Sequence, residues 1–438
     1  MATVVIVGTC DSKLNELLFL RESILQAGGG GVNVTLIDVG RHPTDHEAIT
    51  ISQTELLDRY YNNDCGPVDE LPRGELVKLM SCLAGEAVSQ LYSSPSSKGI
   101  HGIIAAGGSG NTSIAASVMR DALPLGFPKL IVSTVASGDT KQYIGESDIA
   151  IMYTVVDVAG TNSLLRRVLA NAGAMIAGAA RVYAAGQTRD REQEVESEKK
   201  RVGITMFGVT TPAVDFIREY LTSNYSVEVF VFHATGTGGK AMEKMVRDGG
   251  LDAVLDLTTT EVADYVAGGV MSAGEGRLSA SVERGIPYLV SLGALDMVNF
   301  GGVDTLPGRY LGENGGGRKW YQHNPSVTLM RVDEGEAERI GRFIVDALGD
   351  AGERGRVKVV IPRGGLSLLS AAGQPFEDRE VDEVLFRTVR DGLRDSAVEV
   401  IEDERDINDE ALARLMAEEL VLMMGLKGVD GMNLDNTK

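Results

Sequence analysis

The chain alternates short β-branched or apolar runs with longer segments of helical spacing. Thr3–Val7 is a continuous β-branched run that stops at Gly8, the pattern of a strand covered on both faces of a parallel sheet. Leu14–Gln26 then has helical periodicity, and Gly28–Gly31 ends it. Val32–Val39 predicts a second strand, Gly74–Leu91 a helix, Gly102–Ala106 a third strand, Ser113–Ala122 a helix and Leu130–Thr134 a fourth strand. Gly160–Ala185 reads as one long helix of small residues, or two.

Gly186–Arg201 interrupts this pattern: 10 of its 16 residues are charged, which predicts a solvated linker or helix face. The alternation then restarts. Val202–Val209, Val227–His233, Leu251–Leu257 and Pro287–Leu292 repeat the four strands of the first half, with helical segments between them. Val327–Val332, Val357–Pro362 and Val398–Ile401 predict further strands, and Ala337–Ala347, Arg379–Leu393 and Asp409–Met424 further helices, all extending the second half. The expected fold is α/β, with two Rossmann-like, doubly wound domains and mainly parallel sheets. The expected boundaries are 1–185, a charged linker at 186–201, 202–428, and a frayed tail at 429–438.

Composition narrows the functional classes. Across 438 residues there are 53 glycines and 12 prolines, and glycines that follow apolar runs sit at strand-to-loop turns. The formal net charge of −20 and an aromatic content of 5% argue against nucleic acid and anionic membrane as partners. Cys10, Cys65 and Cys82 form no CxxC pair, which points to a reducing, cytoplasmic compartment without structural zinc. The opening MATVVIVGTCDSK lacks the features of a signal peptide. The longest apolar stretch, near Ala172–Ala185, is interrupted by Arg181, so no segment is expected to span a bilayer.

In open parallel sheets, ligands bind beyond the carboxyl ends of the strands. In the first half that rule selects Gly8, Thr9, Asp11 and Lys13; then Gly107, Gly108, Ser109, Gly110, Asn111 and Thr112; then Ser133, Thr134, Ser137, Gly138 and Asp139. Small residues joining a strand to a helix N-terminus gather backbone N–H groups where the helix dipole favours an anion. Lys13 can neutralise a phosphate, and Asp11 or Asp139 can support a metal; Asp11 is equally well read as a helix cap. In the second half the rule selects Thr210, Thr211, Thr235, Gly236, Gly238, Gly239, Thr258, Thr259 and Thr260 as a second cradle, with His233 as a proton-transfer group. That cradle faces either a small anionic or carbonyl substrate or a subunit contact. Gly236, Gly238 and Ala241 have the dinucleotide spacing but follow the second strand of their half rather than the first, and residues 233–240 (HATGTGGK) fail the P-loop fingerprint because Ala234 and Ala241 replace its first glycine and its Ser/Thr. His323 and the only tryptophan, Trp320, fall in a Gly-rich stretch read as a lid or subunit contact.

These same loops, with Asp157–Ala172, Met206–Pro212, His323–Pro325, Thr328–Arg331 and Pro362–Ser367, resemble the ATP-binding domain family typified by the N-terminal part of the tomato mosaic virus resistance protein. The likeness runs over residues 2–425 in order, and Cys10 and Ser12 depart mildly from it. It implies two Rossmann-like subdomains, ATP as ligand, taken here with Mg²⁺, and self-association as a homodimer. Ala159–Ala185 and Gly301–Trp320 are the expected dimer contacts. Some relatives continue into a barrel domain, so a separately encoded barrel-domain partner is also an expectation. Three classes stay open: an enzyme coupling ATP to a small anionic metabolite, an ATP-dependent macromolecule-binding protein without turnover, and a nucleotide-independent lyase or hydrolase.

Overall fold

The structure, a computed structural model, describes residues 1–61, 67–93, 99–193, 199–310, 317–352 and 355–428, with backbone only for 187–193 and 309. Cys65 and the expected tail at 429–438 lie outside the described residues, as do 311–316 of the Gly301–Trp320 segment. The chain divides into two compact units, Met1–Glu196 and Ser197–Lys438.

The first unit contains β1 (Ala2–Gly8), β2 (Val32–Asp38), β3 (Gly102–Gly107), β4 (Lys129–Ser133) and β5 (Ala150–Tyr153). Its helices are α1 (Cys10–Gly28), α2 (Gln53–Tyr60), α3 (Arg73–Ser93), α4 (Ser109–Asp121), α5 (Lys141–Ile144) and α6 (Ser163–Gln193). The strands form one sheet in the order β2-β1-β3-β4-β5, and every pair is parallel. Strand side chains alternate between faces. Val4, Ile6, Ile104, Ala106, Leu130 and Val132 pack with Leu17, Leu20 and Ile24 of α1 and Leu165, Leu169 and Ile176 of α6. Val5, Val7, Ile103, Ala105 and Ile131 pack with Met80 and Leu83 of α3 and Ile114 and Val118 of α4. Both faces are covered, which is why these strands read as unbroken apolar runs.

The second unit contains β6 (Lys200–Met206), β7 (Val227–His233), β8 (Ala253–Thr258), β9 (Tyr288–Gly293), β10 (Met297–Phe300), β11 (Trp320–Asn324), β12 (Val327–Arg331), β13 (Val357–Pro362) and β14 (Glu399–Asp403). Its helices are α7 (Thr211–Asn224), α8 (Thr237–Arg247), α9 (Thr260–Ala267), α10 (Ala280–Arg284), α11 (Glu334–Leu348), α12 (Arg379–Leu393) and α13 (Glu410–Met424). Six strands build a wholly parallel sheet in the order β14-β13-β9-β8-β6-β7. Val202, Ile204, Leu255 and Val360 face α7 and α13, while Val254, Val290, Val359 and Ile361 face the other helical layer.

The expectation of two doubly wound, mainly parallel sheets is met, with local corrections. Val327–Val332 does not extend the parallel sheet: β12 pairs antiparallel with both β10 and β11 in a separate three-stranded sheet. Trp320 and His323 lie on β11 rather than in a loop. The charged stretch at 186–201 is not a separate linker throughout, since α6 runs on to Gln193 and β6 begins at Lys200. The short strand β5 escaped notice because Ala150–Tyr153 is exposed or half-buried and has no buried apolar run.

Among the described residues one helical stretch, Ser163–Gly186, is long and apolar enough to cross a membrane, with a mean hydropathy of 1.3 over its best window. Leu165, Leu169, Ala172 and Ile176 spend that apolarity on the core, while Leu164, Met175 and Val182 stay exposed. Close approach of α1 and α6 requires Gly173, because a Cβ there would lie 2.9 Å from Ser23 Cβ and 3.1 Å from the Ile24 nitrogen. Gly178, on the same helix, has nothing within 4 Å of that position. Gly173→Val is therefore expected to destabilise the chain by about 1–3 kcal/mol through overpacking. Gly178→Ala should stabilise it by up to about 1 kcal/mol through helix propensity. Urea denaturation of the two variants checks the opposite signs.

Candidate functional site

The order β2-β1-β3-β4-β5 reverses direction between β1 and β3, and a crevice opens at the carboxyl ends of strands at such a switch point. A cleft of about 310 Å³ lies there. Thr9, Asp11, Ser12 and Lys13 line it from the turn after β1 and the start of α1, and Val39 and Arg41 from the end of β2. Gly108, Gly110, Asn111 and Ile114 contribute from the turn after β3 and from α4; Arg73, Leu76 and Val77 come from the start of α3. The first turns of three helices thus meet in one cleft. Their leading N–H groups have no intrahelical partner, and each dipole presents its positive end. The N-cap residues of α1 and α4, Thr9 and Gly108, give no side-chain bond, but the buried Asp38 Oδ1 accepts from the Cys10 amide at the start of α1 at 3.0 Å and from the Gly40 amide at 2.9 Å.

Three cations line the cleft. Among the described residues, the Lys13 ammonium and the Arg73 guanidinium have no hydrogen-bond or ion-pair partner. Arg41 Nη1 donates to the carbonyls of Val68 and Asp69, at 3.3 and 2.8 Å. The facing carboxylate is Asp11, whose Oδ2 accepts from the Arg41 and His42 amides at 2.9 and 3.3 Å. Gly40 makes that approach possible, since a Cβ there would stand 2.7 Å from Asp11 Cγ. Asn111 ties the strand ends together. Its Nδ2 donates to the Val7 and Ala106 carbonyls at 3.3 and 3.1 Å, which fixes the amide orientation. Its Oδ1 is buried without a hydrogen-bond partner.

Of the first-half residues selected from sequence, Thr9, Asp11, Lys13, Gly108, Gly110 and Asn111 line the cleft. Gly8 and Gly107 stand behind it as close-packing positions, where a Cβ would meet Leu17 at 2.4 Å and Asn111 at 2.9 Å. Ser109 opens α4. Thr112 and Ser133 share a buried 2.7 Å hydroxyl contact, and the Thr134 amide donates to the Gly107 carbonyl. Ser133, Thr134, Ser137, Gly138 and Asp139 are not among the lining residues; Asp139 is exposed and accepts from the Lys141 amide at 2.9 Å. Arg41 and Arg73 went unnoticed. Arg41 was within reach of the strand-end rule, three residues past β2. Arg73 carries no local signal, because only the packing of α3 brings it to Gly110.

In the second unit the corresponding donors are engaged within the protein. The amides of Gly236 and Gly239 donate to Glu261 Oε1, at 2.6 and 3.0 Å. A Cβ at Gly239 would overlap Glu261 Oε2 at 1.9 Å, and one at Gly238 would overlap the His233 carbonyl at 1.8 Å. Thr210, Thr258, Thr259 and Thr260 are fully buried. Thr210 and Thr258 share a 2.7 Å hydroxyl contact, Thr259 Oγ1 donates to the Ser291 carbonyl, and Thr260 Oγ1 accepts from Asn299 Nδ2. The hydroxyls of Thr211 and Thr235 donate to the carbonyls of Phe207 and His233. His233 itself is exposed, its ring edge-on to Phe207 with centroids 5.5 Å apart.

Glu261 belongs to a buried network that sequence reading missed. Arg277, 1% exposed, donates through Nε to Glu261 Oε2 at 2.8 Å and through Nη1 and Nη2 to the two oxygens of Asp256 at 2.5 and 2.6 Å. Its Nη1 also meets Glu243 Oε1 at 3.2 Å. Asp256 accepts further from Thr205 and Tyr288, and Glu243 from the amides of Leu278 and Ala280. Burial pushes Glu243 and Glu261 up and Arg277 pulls them down, with burial prevailing. Burial also lifts Asp264 to about 7, against donors from Asn299 and Met271, and Asp382 to about 6, against Arg331.

Two outcomes follow. Arg277→Met removes the cation facing Asp256, Glu261 and Glu243, so a loss of about 3–5 kcal/mol is expected in chemical denaturation. The pH dependence follows from the raised carboxyls. Between its ordinary value of 3.8 and its folded value near 7, Asp264 binds more proton in the folded than in the unfolded chain, so its contribution falls as pH rises through that window. Glu243, Glu261 and Asp382 act in the same sense. Asp252, Glu402 and Asp403, held low by arginine partners and hydrogen bonds, act in the opposite sense and lose stability as pH falls below the ordinary carboxylate range. Thermal melts should peak near pH 5 and decline toward pH 8, and a flat profile across that span would contradict the raised carboxyls.

Comparison with known proteins matches both units. Residues 2–185 match the N-terminal domain of an uncharacterised protein family (UPF0261), and residues 199–424 match its C-terminal domain. A UPF0261 protein of Clostridium tetani is 39% identical over 428 residues, covering 96% of this chain and 98% of that one. Another, from Mesorhizobium japonicum, is 41% identical over 418 residues, covering 95% and 98%. The ToMV resistance protein Tm-1(GCR237) of Solanum lycopersicum is 38% identical over 402 residues, covering 88% of this chain and 50% of the tomato protein. With both domains matched in order and bacterial relatives aligned over nearly their whole length, the chain belongs to the UPF0261 family, alongside the tomato Tm-1 homologues.

Proposed function

We propose that the cleft of the first unit binds a nucleoside polyphosphate, ATP in the first instance. One observation carries this reading: the first turns of α1, α3 and α4 converge with Lys13, Arg41 and Arg73 on a single cleft at the strand-order switch point. Oriented N–H groups and unpaired cations suit phosphate oxygens above other ligand chemistry. Val39, Leu76, Val77 and Ile114 add apolar residues to the same lining, a complement to a base or sugar. Within the lining, Asp11 is engaged by the Arg41 and His42 amides, and no histidine is present. The reading is therefore of binding; an ATP-using reaction on a small anionic metabolite remains a separate proposal that needs a turnover assay.

Titration calorimetry of the full chain with ATP tests this. Lys13→Ala and Arg73→Ala, neither of which breaks a side-chain hydrogen bond or ion pair among the described residues, should each weaken binding about tenfold or more, the scale of one charge-assisted hydrogen bond. Thermal stability without nucleotide should stay within about 0.5 kcal/mol of the parent. Absence of binding by the parent chain at millimolar ATP would end the proposal.

A further inference from the structure

We infer that the cleft takes its polyphosphate as the free anion, with the chain's own cations rather than a divalent metal neutralising it. This rests on the reading of the cleft as a polyphosphate site. The lining carries Lys13, Arg41 and Arg73 against the carboxylate of Asp11, with the buried Asp38 behind it held by the Cys10 and Gly40 amides. Arg41 is held by two carbonyl oxygens, which leave its charge uncompensated. Among the described residues, neither Lys13 nor Arg73 has a partner. The helix N-termini add positive potential.

The residues expected to hold Mg²⁺ do not fit that role. Asp139 lies outside the cleft lining and accepts from the Lys141 amide. Asp11 gives one oxygen to the loop after β2, which leaves at most one for a metal, with Lys13 two residues on. Among the described residues no group of three or more His, Cys, Asp or Glu side chains is placed to hold a metal. Mg²⁺ keeps several waters and is usually held by one or two carboxylates together with substrate phosphates, and of such carboxylates this lining offers Asp11 alone. Here it would compete with three protein cations for the same phosphate oxygens. It would also remove two of the negative charges those cations meet.

Titration of the full chain with ATP, once in EDTA and once in excess Mg²⁺, decides this. Expected is binding in EDTA, with a dissociation constant raised roughly threefold or more by Mg²⁺, the scale of one exposed ion pair. Tripolyphosphate in EDTA should bind as well, and Asp139→Asn should change neither constant. Binding that requires Mg²⁺, or that Asp139→Asn weakens only in its presence, overturns the inference while leaving the ATP reading intact. Failure of ATP and tripolyphosphate to bind under either condition overturns both.

Discussion

Every helix that starts at the carboxyl end of a parallel strand leaves backbone N–H groups without partners, and something negative has to answer them. The two units answer differently. In the second, Glu261 supplies the anion, its Oε1 accepting from Gly236 and Gly239 at the start of α8. In the first, Asp38 takes only the Cys10 amide of α1, no side chain of the N-cap residue engages α4, and a cleft lies at the place where α1, α3 and α4 begin. The same strand–helix repeat thus produces an internally satisfied half and an outward-facing one.

Satisfying the donors internally brings its own cost. Glu261 sits fully buried beside Asp256 and Glu243, and among the described residues Arg277 is the one cation that reaches all three. Desolvation of that many carboxylates exceeds what a single guanidinium offsets, so burial prevails and Glu243 and Glu261 are lifted. What the arrangement achieves is fixed geometry: Arg277 ties β8, α8 and α9 together, and Tyr288 adds β9 through its hydroxyl on Asp256. The first unit buries one carboxylate behind the cleft, Asp38, which burial lifts, and keeps its cations at the cleft, where Lys13 is half-buried and Arg73 exposed.

Glycine positions show how closely the strand ends are packed. Gly239 admits the Glu261 carboxylate, Gly40 admits that of Asp11, and Gly107 admits Asn111, each where a Cβ would fall at or inside 2.9 Å of a neighbouring atom. Gly→Ala at any of them would displace the side chain that organises its loop. These glycines act through the approach of another chain segment rather than through contact with a ligand of their own.

Strand–helix alternation, the parallel character of both large sheets and the placement of candidate chemistry at strand ends were legible from the sequence, because burial on both faces writes unbroken apolar runs and each run ends at glycine or small polar residues. The antiparallel sheet was not legible. Val327–Val332 is apolar enough for either setting, and only its hydrogen bonding to β10 and β11 decides its direction. For the site, local sequence identified Lys13, Asp11 and the Gly107–Thr112 turn but not which half keeps its donors open. That depended on contacts far apart in the chain. Glu261 lies 25 residues from Gly236, and Arg73 reaches the cleft through the packing of α3 against α4. The sequence by itself determined where N–H groups gather, since that follows from local turn and helix chemistry. Tertiary structure alone decided whether a side chain of the protein fills them, because an ion pair depends on distance in space and leaves no periodic trace along the chain.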